Sequence, residues 1–186
     1  RCSGCKTKIS YQYPAVELWT GLIFVNLYLA FSLTTYYLLL TTVFCIYVVI
    51  TIYDLRHKII PDSLVYSAIL LSVVGRLWFG GSALDWLAGP ALFGFFAAVW
   101  VLSRGRAIGF GDAKLALSIG LLLGAAAGFS AIIVGFWIGA AVGLISMIFS
   151  RKKITMKTEI PFAPFLVMGA WLSLILNLDL LHVSLF

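Results

Sequence analysis

An all-α bundle of membrane-spanning helices is the fold class this sequence predicts, on two observations. The first is composition: 62% of the 186 residues are hydrophobic, only 11% are charged, and the mean hydropathy is +1.08. An ordinary soluble domain is about 45–50% apolar and about 25% charged. A soluble globule of this size could not cover so much apolar surface, which sets aside a soluble enzyme, a nucleic-acid-binding domain and a disordered chain. The second is that the apolar residues gather into seven runs near the ~20 residues that one spanning helix needs. They cover 15–32, 36–53, 63–79, 84–102, 107–128, 130–149 and 163–180. Tyr13, Tyr36, Tyr53, Trp78 and Trp86 near run ends suit interfacial anchoring.

Charge orders these runs. The net charge of +6 combines 13 Lys and Arg with 7 Asp and Glu. Arg1, Lys6 and Lys8 precede the first run, and Arg56 and Lys58 follow the second. Arg104 and Arg106 follow the fourth, while Arg151, Lys152, Lys153 and Lys157 follow the sixth. Eleven of the 13 basic residues thus fall on alternate connections, leaving only Arg76 on the other side and Lys114 inside the fifth run. Because Lys and Arg accumulate in cytoplasmic loops, the N-terminus and these connections are expected in the cytoplasm and the C-terminus outside. No basic stretch is interleaved with aromatics, so no nucleic-acid partner is expected; contact with anionic membrane lipids accounts for the basic loops. The chain opens on Arg1 with no signal-peptide pattern before the first run, so it is expected to be part of a longer protein. Glycines at four-residue spacing, Gly120, Gly124 and Gly128, then Gly135, Gly139 and Gly143, predict close helix packing within the molecule.

With seven acids, each can be placed. Asp85, Asp179 and Glu159 fall at run ends or in the basic loop, where solvation explains them. Glu17 suits a helix N-terminus, and Asp62, after Pro61, reads as an N-cap. Asp54 and Asp112 differ. Asp54 closes the second run, and Asp112 lies in Ile108-Gly-Phe-Gly-Asp112-Ala-Lys114, about one turn into the fifth. An ionisable group inside a span is costly and marks a functional candidate. The charge pattern puts both acids near one membrane face. Two close carboxylates do not ionise together readily, so a pair holds one proton. That state suits peptide hydrolysis: one acid accepts a proton from the attacking water while the other polarises the carbonyl. Gly109 and Gly111 would let a substrate backbone approach. Lys114 reads as snorkelling to the interface. A proton-coupled transporter would use the same pair of acids, although its usual internal repeats are not visible here. A scaffold in a pilus or secretion assembly would not need them.

The motifs resemble those of the type IV prepilin peptidases, aspartic proteases of the bacterial inner membrane. Gly109-Phe-Gly-Asp112 is similar to their GxGD motif, and Asp54-Leu-Arg-His-Lys-Ile-Ile-Pro61-Asp62 to their second signature. Pro161-Phe-Ala-Pro164-Phe resembles the entry to their last span, and Cys2-Ser-Gly-Cys5 the second of two CxxC pairs. The resemblance implies catalysis by Asp54 and Asp112, with Gly109, Gly111, Lys114, Pro61 and Asp62 as supporting motif residues. It also implies removal of a short basic leader from prepilins or pseudopilins at the cytoplasmic face, without a cofactor for proteolysis. In many members it further implies N-methylation with S-adenosylmethionine. Residues 1–14 would be the remnant of a cytoplasmic zinc loop, and 15–186 the membrane-embedded peptidase domain. Cys2 and Cys5 would be zinc ligands, but two thiolates do not complete a tetrahedral site. Cys45, in mid-run, reads as a buried small hydrophobe.

Overall fold

The computed structural model describes residues 12–149 and 161–182. Six helices follow in order: α1 (Gln12–Phe31), α2 (Thr35–His57), α3 (Asp62–Phe79), α4 (Ala83–Leu102), α5 (Phe110–Phe149) and α6 (Ala163–Ile175). Five of them, α1 to α5, are long and apolar enough to cross a membrane. Together with the chain's composition this makes an integral membrane protein. The expected Cys2, Cys5 and Glu159 features lie outside the described residues.

The helix count differs from the seven expected runs, and α5 and α6 hold the difference. The seventh run yields a helix of only 13 residues. Runs five and six belong to one element of 40 residues, which as a straight helix would reach about 60 Å, about twice the hydrocarbon thickness. It does not stay straight. Gly124 breaks it with φ 81° and ψ −171°, a backbone state that a side chain would strain. A methyl on Gly128 would stand 3.2 Å from the Gly120 Cα, so the second arm folds back on the first. The reversal therefore falls at Gly124, inside the fifth expected run. Nothing polar marks that point in the sequence; the polar groups that hold it come from other helices.

Those groups are Arg76 and Asp85. Arg76 Nε donates to the Leu121 carbonyl at 3.0 Å and its Nη2 to that of Leu122 at 3.2 Å, closing the first arm. The Ala125 N–H, opening the second arm, donates to Asp85 Oδ1 at 2.9 Å. Helix ends leave such carbonyls and amides unpaired, and here a cation and an anion take one set each. The two side chains lie 3.9 Å apart. Asp85 also completes a capping box with Ser82 at the start of α4, so it is a structural cap rather than the solvated loop acid expected.

Glycines set the helix spacing. A methyl on Gly120 would meet the Gly89 Cα of α4 at 2.7 Å, and one on Gly135 the Phe165 carbonyl of α6 at 2.9 Å. Gly169 returns the contact, since its methyl would meet the Ala131 carbonyl and the Gly135 amide. In lipid, apolar surface gives little net drive to associate, so close backbone contact does that work. The large apolar side chains Leu29, Leu102 and Trp78 point outward, and Cys45 is half-buried rather than buried. Glu17 is exposed in the second turn of α1.

Candidate active site

Asp54 sits in the last turn of α2, and Asp112 in the first turn of α5. What aligns these helices is a buried hydroxyl ladder deeper in the bundle. Tyr47 Oη and Ser118 Oγ are 2.9 Å apart, and Ser118 Oγ is 3.1 Å from Ser72 Oγ of α3. All three residues are fully buried, where unpaired hydroxyls would be costly. The ladder therefore fixes the register of α2, α3 and α5. Tyr47 lies two turns from Asp54 and Ser118 under two turns from Asp112, so this register brings the acids to the same end.

Each acid is held by one backbone amide. Asp112 reaches back to the Gly109 N–H at 3.1 Å, as the third helical residue of a capping box does. Asp54 Oδ2 accepts the N–H of Ala163, the first residue of α6, at 3.2 Å. The two are 5% and 7% exposed, and the Asp54 charge acts directly on Asp112. Neither forms an ion pair among the described residues. Three helices, α2, α5 and α6, thus converge on two carboxylates, with no cation paired to either among the described residues. A cavity of about 640 Å³, lined by Tyr36, Ser72 and Arg76 among others, lies toward the Gly124 end and is lined by no carboxylate.

The supporting residues gather around the pair in ways the sequence showed only in part. Pro61, not Asp62, is the N-cap of α3, and no side chain caps that end. Asp62 instead pairs with Lys114, whose Nζ is 2.6 Å from Asp62 Oδ1. Lys114 does not snorkel freely: its ammonium stands 5.0 Å from the Tyr66 ring centroid and 5.3 Å from that of Phe110. At Gly111 an added methyl would come within 2.9 Å of the Ile60 Cβ, so the glycine lets the start of α5 seat on the loop before α3. At Gly109 a methyl would crowd the Asp112 carboxylate at 3.3 Å. The two signature segments are therefore in mutual contact.

The family model for the type IV leader peptidase family matches residues 39–144, which include both acids and both supporting glycines. The chain belongs to that family. A second model, the bacterial peptidase A24 N-terminal domain, matches residues 1–31. Among curated proteins, the prepilin leader peptidase/N-methyltransferase of Stutzerimonas stutzeri is 29% identical over 94% of this chain. The proteins of the same name from Aeromonas hydrophila and Pseudomonas aeruginosa are 32% and 28% identical over the same share. The chain spans 62% of the length of each of these relatives. No solved structure gives a significant match.

For this leader-peptidase-family chain, the group that sequence reasoning missed is the Ala163 amide. Pro161-Phe-Ala-Pro164-Phe was legible as a motif, but a backbone donor has no residue signature. Among the described residues no group of three or more His, Cys, Asp or Glu could hold a metal. Cys2 and Cys5 lie outside the described residues, and two thiolates supply half of a tetrahedral zinc set.

Proposed function

We propose that the protein is an intramembrane aspartic endopeptidase with Asp54 and Asp112 as its catalytic residues. In this reading it removes the leader peptide of type IV prepilins or pseudopilins at the cytoplasmic face of the inner membrane. The observation that carries it is two buried acids from separate helices, close enough for one charge to act on the other, with no ion pair to either among the described residues. Such a pair retains one proton between its members. The ionised carboxylate takes a proton from a water whose oxygen attacks the scissile carbonyl carbon. The protonated one donates a hydrogen bond to that carbonyl oxygen. As the C–N bond breaks, a proton passes to the leaving amine and the pair returns to its starting state.

Membership in the type IV leader peptidase family supports the substrate class, and the relatives' printed names support prepilin processing. The basic connections beside the acid end support a cytoplasmic site in contact with anionic lipid. Residues 1–14 belong, in this proposal, to a cytoplasmic segment, and 15–186 to the peptidase domain. N-methylation with S-adenosylmethionine is not assigned to the chemistry of these two acids.

The test is incubation of the protein, in detergent or liposomes, with a prepilin-like peptide, followed by mass measurement. Cleavage at one bond, lost in Asp54→Asn and in Asp112→Asn of unchanged thermal stability, is the expected result. No cleavage by the parent protein, or full cleavage by either variant, overturns the assignment. A product heavier by one methylene than simple hydrolysis would reveal methyl transfer.

A further inference from the structure

The cavity of about 640 Å³ at the Gly124 end takes no part in the chemistry of the acid pair. It is partly open and lies among the last turn of α1, the first turns of α2 and the last turns of α3. Spanning helices end at the level of the lipid headgroups. Arg76 lines the cavity, and in the charge pattern it is the only Lys or Arg on the side away from the basic connections. A guanidinium carries five N–H donors. Three of them have acceptors here, the carbonyls of Leu121, Leu122 and Gly80 at 3.0, 3.2 and 3.4 Å. Asp85, at 3.9 Å, is beyond hydrogen-bond reach and does not line the cavity. Two N–H groups of Arg76 are thus left without an acceptor among the described residues.

Tyr36 supplies a further donor. Its ring stands edge-on to Phe31 at 5.2 Å and to Phe79 at 4.9 Å, centroid to centroid, which fixes its place on the cavity wall. The Arg76 charge acts on its hydroxyl, and that hydroxyl makes no hydrogen bond among the described residues. A guanidinium and a hydroxyl with donors to spare, on a wall without a carboxylate, suit a phosphate oxyanion. The room exceeds what a bare phosphate fills, and falls within the ~300–1,000 Å³ of small-molecule sites. A second, almost wholly apolar hollow of about 170 Å³ adjoins the first, sharing Leu39, Gly75 and Phe79 with it. Its other walls include Val74 and Trp78, both exposed on the outward surface that acyl chains meet. A polar hollow at headgroup level that continues into an apolar one matches the two halves of a phospholipid. We infer that the cavity is a phospholipid site, with the phosphodiester on Arg76 and Tyr36 and an acyl chain along Leu39, Val74 and Trp78. The inference stands apart from the hydrolytic reading of the acid pair.

The experiment titrates the full chain in detergent with phosphatidylglycerol, with diacylglycerol of the same chains, and with inorganic phosphate. Native mass spectrometry counts bound lipid, and the shift of the thermal unfolding midpoint reads the binding of all three. The parent protein should retain one phosphatidylglycerol per chain and bind diacylglycerol about tenfold more weakly or less. Inorganic phosphate at the same concentration should not move the midpoint. Tyr36→Phe keeps the ring beside Phe31 and Phe79 but removes the donor, so lipid affinity should fall about tenfold with the lipid-free midpoint unchanged. Val74→Trp, at an exposed position, fills the apolar hollow and should weaken binding by a similar factor. Equal lipid affinity in the parent and Tyr36→Phe overturns the inference, as does diacylglycerol held as tightly as phosphatidylglycerol or no bound lipid at all. Inorganic phosphate as effective as the lipid would make this a free-anion site, and a dimer that holds no lipid would make it a protein contact; either overturns the inference. If Tyr36→Phe does not fold, parent-like lipid binding in Val74→Trp does so instead. Cleavage is not part of the readout, so failure here leaves the hydrolytic reading untouched.

Discussion

The two ends of this bundle set the same side chain among different neighbours. At the Gly124 end, Asp85 accepts the Ala125 amide and lies 3.9 Å from the Arg76 guanidinium. At the other end, Asp54 and Asp112 each accept one backbone amide, lie near a second acid, and pair with no cation among the described residues. Hydrogen-bond donors, with a cation behind them, favour a carboxylate's charged form in a structural role. A second carboxylate makes the charge negotiable, because the pair is cheapest when it keeps one proton. Beside burial, the neighbour distinguishes the acid that caps a helix from the two proposed to be catalytic.

This contrast can be broken from either end. The largest effect is expected at the pair: Asp54→Asn or Asp112→Asn should lower prepilin cleavage by at least about a hundredfold, with the unfolding midpoint kept. At the opposite end the loss should be of stability. Gly124→Ala puts a side chain at φ 81° and drives its methyl into the Asp85 carboxylate. It should cost about 1–3 kcal/mol, read by thermal unfolding in detergent, while the correctly folded fraction still cleaves. Arg76→Met, which leaves the Leu121 and Leu122 carbonyls unpaired, should cost a similar ~1–3 kcal/mol. Were well-folded Arg76→Met inactive, the division of labour between the ends would be wrong.

Two further substitutions sharpen the picture. Gly120→Ala pushes a methyl against the Gly89 backbone, and a loss of about 1–3 kcal/mol is expected as α4 and α5 separate. The smallest belongs to Asp62→Asn. Its carboxylate side chain is 63% exposed, so the bond to Lys114 should be worth under about 1 kcal/mol. Cleavage should stay within about fivefold of the parent protein, and complete loss would make Asp62 one of the reactive acids.

Much of this was legible in the residues because lipid imposes simple rules. Apolar runs long enough to span, and an excess of Lys and Arg on alternate connections, need no tertiary knowledge. The rarity of acids made Asp54 and Asp112 conspicuous, and the glycine spacing foretold close packing, which Gly120 and Gly135 provide. The reversal at Gly124 was not legible, since the polar groups that cap it, Arg76 and Asp85, lie on α3 and α4. Asp62 misled for a similar reason: next to a proline and before an apolar run it has the look of a cap, yet its partner is 52 residues away.

The order of the chain alone determined that this is a helical membrane protein with two acids out of place in it, because hydropathy and charge are properties of single residues summed along a span. Which groups meet was decided only in three dimensions. Asp54 comes to the same end as Asp112 as the Tyr47–Ser118–Ser72 hydroxyls hold α2, α3 and α5 in register. It holds the Ala163 amide because α6 begins where α2 ends in space. Hydrogen bonds act over a few ångströms, and no spacing along a chain encodes a distance between helices.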